Sequence, residues 1–293
     1  MKSNVIEDNT DTAARLAQSI SALPPLPATA QEILTCFGDE FIDADKVTAV
    51  VEGDPGICAK LLGLSNSAYF GLAEPVNSIG EAIARVLGVD TVRSLVLAMA
   101  IQRSFDRTRC PGFNTERFWM QSLLTAECCK KLAALDGDAD DDVRDLAYSA
   151  GLCHNLGLLA LVHLEPSRTN SVLTAHRDST EPNSLAGLFD DELSTDHKIM
   201  TAEVARTWSL PEPMVSAYQF RAFPDSQCVH PLGIVVAAGT LAVENSEVEE
   251  EQRTNLDTWA TQLNLDGEEL QKLAVLSERQ KERVQSLASN MSG

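Results

Sequence analysis

Gly151-Leu152-Cys153-His154-Asn155-Leu156-Gly157-Leu158-Leu159-Ala160-Leu161 is apolar except for one His-Asn pair at its middle. With Ala147 before it and Val162 after it, the stretch predicts a helix buried nearly all round, not an amphipathic surface helix. Part of a longer helix over about Val143 to His163, it sets an imidazole and a carboxamide inside a core. Such groups are hydrogen-bonded, metal-bound or costly.

Working outward, helix signals follow one another with almost no strand signals, so the fold class is all-α. Leu23-Pro24-Pro25-Leu26-Pro27 breaks a helix over Asp11 to Ser21, and Pro27 then suits the first turn of a helix through Phe37, closed by Gly38. Asp43 and Asp54 are placed to cap the next two helices, the second opened by Pro55 and running through Leu64. Ser78-Ile79-Gly80-Glu81 fits a capping box. Val92 to Ile101 is a dense apolar helix, residues 106–114 form a boundary, and a long helix spans about Thr115 to Leu135.

The acidic run Asp136 to Asp142 has a D-x-D-x-D spacing, but Asp141 stands where a calcium loop needs glycine and Ala147 where it needs glutamate. It reads as a solvated, helix-capping link. Later helices are expected over Pro166–His176, Pro182–Leu188, Asp196–Trp208, Pro211–Phe220, Val229–Val243 and Glu268–Ala288. The last could dock on the body or form a dimer seam.

The 293 residues suffice for a sizeable core, and 44% apolar content marks a globular chain. No apolar run approaches the roughly 20 residues of a membrane span, and Met1 to Asp8 has no apolar segment of the signal-peptide kind. Seven cysteines without C-x-x-C spacing suit a reduced, cytoplasmic protein. In Cys128-Cys129, one thiol should face the core and the other the helix surface. A formal net charge of −20 disfavours direct nucleic-acid binding and an anionic membrane surface. A protein or a small neutralised ligand fits better as a partner.

The His154-Asn155 helix resembles the signature of the HD superfamily of metal-dependent phosphohydrolases, whose adjacent His and Asp are metal ligands. Here Asn155 stands in place of the Asp, and a hard divalent cation loses most of its attraction on that exchange. The N-terminal third resembles the HDOD domain, an HD-related output domain of bacterial signalling proteins. Four stretches carry the likeness: Leu23 to Ala28, Glu52 to Ile57, Leu61 to Gly71 and Ile79 to Gly88. It continues through Phe118-Trp119-Met120-Gln121-Ser122 to Trp208-Ser209-Leu210-Pro211, about residues 20–225. The most recognisable piece, Asn66-Ser67-Ala68-Tyr69, reads from its residues as a structural corner, with Asn66 and Ser67 bonding the freed carbonyls of a helix end.

The resemblance puts the earlier ligand histidine at Gln121, a poor metal ligand, and assigns the later Asp to no particular residue. His163, His176, His197 and His230 show no paired spacing, though His197 resembles a histidine at the same place in the family. Gln121, His154 and Asn155 thus form a degenerate site, with His154 and Gln121 expected to bond each other or a water, and no metal, cofactor or catalytic residue is assigned.

The implied organisation is a tail over 1–9, an N-terminal lobe over 10–108 and an HD-like lobe over 109–293. The implied function is a non-catalytic output or adaptor module that contacts signalling proteins. A nucleotide or small-molecule sensor using the old cleft, with Arg85, Arg93, Arg103 and Lys60 facing it, is the alternative. A residual phosphohydrolase is the third reading, and a homodimer stays open.

Overall fold

A computed structural model of the chain describes residues 20–37, 43–179, 185–222, 230–247, 261, 263 and 267–292. All regular structure among them is helical. Residues 1–9, most of the Asp11–Ser21 helix, Gly38 and Pro182 lie outside the described residues.

The first helices are set by their caps. Helix α1 (Ala28–Leu34) tightens into a 3-10 turn over Thr35–Phe37, and Pro27 sits one residue earlier than expected, at the cap with ψ 148°. Asp43 accepts from Asp45 and Lys46 amides to start α2 (Ala44–Glu52), and Asp54 accepts from Gly56 and Ile57 amides to start α3 (Pro55–Ser65). Ser78 caps α4 (Ile79–Ala82) by accepting from the Glu81 amide, but Glu81 reaches back to the Asn77 amide, one residue upstream of the usual box partner. A π-helical turn, Ile83–Leu87, and Gly88 at φ 77° lead into α5 (Val89–Gln102), which is buried throughout from Val92.

The corner motif works differently from the expected helix end. Asn66 bonds both backbone groups of Val76, donating to its carbonyl at 2.9 Å and accepting from its amide at 2.8 Å, so it closes a loop and not its own helix turn. The Ser67 hydroxyl is buried without a partner.

Residues 106–114 are a non-helical connection held down at two points. The Asp106 amide donates to His163 Nδ1 and the Gly112 amide to Asn170 Oδ1. Beyond it, α6 (Thr115–Leu135) is the helix on which α7 (Asp141–Leu152), α13 (Pro231–Asn245) and α14 (Gly267–Ser292) pack. With cover on several sides, both Cys128 and Cys129 are buried, and neither faces solvent as expected. Asp140 caps α7 by accepting from the Val143 amide, so the acidic run serves as helix cap.

The expected helix over Val143 to His163 is two helices, α7 and α8 (Leu156–Leu164), separated by a turn at Cys153–Asn155. Together Asp141–Leu164 has the length and apolarity of a membrane span, contrary to the sequence reading, but 94% of its apolar window is buried inside the fold. Helices α9 (Pro166–Asp178), α10 (Leu185–Leu193), α11 (His197–Thr207) and α12 (Glu212–Ala222) follow. Of these, α11 lies against α8, and α12 bridges α11 and α13.

One hydrophobic cluster runs from Ala30 to Met291. Helix α5 meets α7 through Ser94 and Ser149 hydroxyls 2.5 Å apart, and α14 lies across α3, α6 and α13. Val284, Leu287, Ala288 and Met291 are buried there, so this helix docks on its own body.

Candidate functional site

Two close backbone approaches fix the position of the His154 turn. A Cβ on Gly151 would lie 2.8 Å from Ala126 Cα, so only glycine lets α7 touch α6 here. A Cβ on Gly157 would lie 2.1 Å from the His197 carbonyl oxygen and 2.3 Å from the Thr201 nitrogen, so α8 meets α11 backbone to backbone. The Gly157 amide donates to Thr201 Oγ1 at 2.9 Å, and that hydroxyl donates to the His197 carbonyl at 2.7 Å.

His154 is 3% exposed. Its Nδ1 lies 2.7 Å from the Gly151 carbonyl oxygen, which can only accept, so the proton sits on Nδ1 and Nε2 carries a lone pair. Burial first, then the neighbouring Arg221 cation, pushes the imidazole down to about 3, so it is neutral at physiological pH. Because the helix breaks here, the His154 carbonyl is free of helical bonding. Arg221 Nη1 donates to it at 2.7 Å, and Thr201 Oγ1 lies 3.3 Å away.

Asn155 and His197 complete the buried polar group. Asn155 Oδ1 and His197 Nδ1 have no hydrogen-bond partner. The His197 ring packs on Phe189 at 5.8 Å, and burial followed by Arg221 holds its pKa well below the usual histidine value. Tyr218 on α12 donates to the Ala150 carbonyl at 2.9 Å and ties that helix to the end of α7.

Gln121 does not bond His154, one of the two partners the sequence offered it. Its Nε2 donates to Glu247 Oε2 at 3.1 Å, beside the Arg117–Glu247 ion pair at 3.0 Å. Glu247 follows the end of α13, so this amide fastens α6 to α13. The four cations that the sensor alternative would place at the cleft are scattered. Arg103 pairs with Asp54, Arg93 bonds the Cys36 carbonyl and Asp90, Lys60 donates to the Met291 carbonyl, and Arg85 is exposed.

The cations near His154 are instead Arg221 and Lys198, which the sequence reading missed. In Gln219-Phe220-Arg221-Ala222 nothing separates Arg221 from a solvated helix arginine, yet it is 7% exposed.

The residues do not fit a divalent metal. His154 Nε2 and Asn155 Oδ1 offer lone pairs, but the second is neutral, Gln121 is engaged elsewhere, and a guanidinium is bonded to His154's own carbonyl. Among the described residues no three His, Cys, Asp or Glu side chains converge as a ligand set. Cys153, beside His154, is no substitute nucleophile, because burial pushes its thiol up to about 12.

The family profile of the HDOD domain matches residues 23–224. An uncharacterised protein of Treponema pallidum (strain Nichols) is 27% identical over 212 residues, which are 72% of this chain and 40% of that protein. The chain thus spans about two fifths of the length of that relative. A solved structure from Marinobacter aquaeolei VT8, named as a candidate signal transduction protein, superposes with TM-score 0.82 at 24% identity, covering 97% of this chain and 66% of the other. A second, from Shewanella amazonensis SB2B and named as a candidate phosphohydrolase, gives TM-score 0.72 at 23% identity over 94% of this chain and 97% of the other. At these identities the two structures show a shared helical fold.

Proposed function

Because the chain belongs to the HDOD domain family, we propose that it is a non-catalytic signal-transduction module that works through contacts with other signalling proteins. The observation that carries this reading is the state of the His154–Asn155 turn. A metal-assisted hydrolase needs a cation to hold and activate water. Here the one retained histidine has a neutral asparagine beside it and a fixed guanidinium on its carbonyl. Gln121, at the place of the earlier ligand, is used to join two helices.

The name of the Marinobacter relative points to the same signalling role. The name of the Shewanella relative keeps hydrolysis as the competing reading. The formal charge of −20 favours a partner with a basic surface over nucleic acid or an anionic membrane.

The test is turnover of phosphomonoester and phosphodiester substrates, cyclic dinucleotides included, with manganese, magnesium, iron(II), cobalt and zinc in turn. No turnover above the blank is expected. Metal-dependent turnover that disappears in His154→Ala overturns the reading.

A further inference from the structure

Arg221 is a buried cation that the fold leaves largely unpaired. Its side chain takes part in none of the ion pairs among the described residues, and its single hydrogen bond goes to the His154 carbonyl. Glu244, exposed on α13, and Asp196, at the start of α11, act on it only through longer-range attraction. A guanidinium remains protonated in proteins, and a buried charge is costly unless it is paired.

Arg221 lines a cavity of about 140 Å³ between α11, α12 and α13. Its lining includes Lys198, Phe220, Arg221, Ala237, Thr240 and Glu244. The Lys198 ammonium makes no hydrogen bond or ion pair among the described residues, and both Arg221 and Lys198 act electrostatically on His154. Thr240 donates its hydroxyl proton to the Val236 carbonyl at 2.8 Å, so toward the cavity it offers a lone pair. Two cations, the Glu244 carboxylate and one hydroxyl acceptor therefore line a space well below the roughly 300 Å³ at which pockets for drug-sized ligands begin.

We propose that this cavity binds a phosphate group, held by the Arg221 fork and the Lys198 ammonium. An arginine fork matches a tetrahedral oxyanion through paired N–H donors. With the Glu244 carboxylate in the lining the cations leave one net positive charge, which a phosphate monoanion balances, and its protonated oxygens can donate to Glu244 as an acetate ligand cannot. Thr240 can accept from a protonated phosphate oxygen. The cavity holds the phosphate and not a nucleoside, so a larger monoester would keep the rest of its structure outside. Arg221 also grips the His154 carbonyl, so filling the cavity braces the turn between α7 and α8.

The experiment is calorimetric titration of the EDTA-treated full chain with inorganic phosphate at constant ionic strength, with acetate and glycerol phosphate as separate arms. Saturable one-to-one phosphate binding is expected, with acetate at least about tenfold weaker, a factor that corresponds to 1.4 kcal/mol. Lys198→Gln should weaken phosphate at least about tenfold with an unchanged melting temperature, and Arg221→Gln should abolish it. Because Arg221→Gln can compromise folding, Lys198→Gln carries the test where that variant does not fold. Equal binding of glycerol phosphate identifies a monoester end as the ligand, and exclusion of it identifies free phosphate. No saturable phosphate binding, unchanged binding in Lys198→Gln, or binding only after a divalent metal is added overturns the proposal.

Discussion

Arg221 Nη1 donates to the carbonyl oxygen of His154 across 2.7 Å, from a helix 67 residues further along the chain. That bond takes up a carbonyl released where the apolar stretch breaks between α7 and α8. It also fixes a positive charge beside His154, the histidine that resembles one member of an HD-type metal pair. A divalent ion brought to His154 Nε2 would meet that charge without a carboxylate at position 155 to offset it.

The backbone contact between α8 and α11 makes Gly157 a sensitive position. Gly157→Ala drives a methyl group into the His197 carbonyl and the Thr201 nitrogen, neither of which is the end of a flexible side chain. The expected cost is about 3 kcal/mol or more, at or beyond the upper end for core overpacking. Urea denaturation measures it, and a loss below about 1 kcal/mol would mean the helices separate easily.

Stability should depend on pH through two buried imidazoles. Burial and the Arg221 and Lys198 charges hold His154 at about 3 and His197 well below its usual value. The unfolded chain therefore binds the extra protons below about pH 6.5. Stability is full above that pH and falls as pH drops, by up to about 1.4 kcal/mol per pH unit for each group. Urea titrations at pH 7 and pH 5 should show this loss, and His197→Gln should lose less than the parent. Equal losses in parent and variant would show that His197 titrates normally in the fold.

Asn66 supports the loop that carries Tyr69. Asn66→Ala removes both bonds to the Val76 backbone. Since Val76 is buried, about 1–3 kcal/mol should be lost. Arg283 of α14 lies over the Tyr69 ring and donates to the Tyr69 carbonyl, so amide exchange in α14 should quicken as well. Unchanged exchange in α14 would show that the corner and the last helix are independent.

Sequence reading located most helices because their caps are local. Asn114 caps α6 three residues before Arg117, and Asp54 caps α3 with its own next residues, so the signals lie within one turn of the boundaries. The break at Cys153–Asn155 had no such signal. The apolar pattern runs straight through it, and the group that donates to the freed carbonyl, Arg221, lies 67 residues away. Gln121 was legible as a candidate position, but its partner Glu247 is 126 residues downstream. Arg221 was illegible for the complementary reason. A helix arginine between Phe220 and Ala222 is ordinary in sequence, and only the packing of α11 and α13 around it makes it a buried charge.

Manganese binding to the metal-stripped chain, followed by electron paramagnetic resonance of the free ion, tests most directly whether the His154 turn holds a metal. No stoichiometric uptake by the parent is expected, and the same free-ion signal with His154→Ala. One manganese ion bound per chain in the parent and lost in His154→Ala would contradict it.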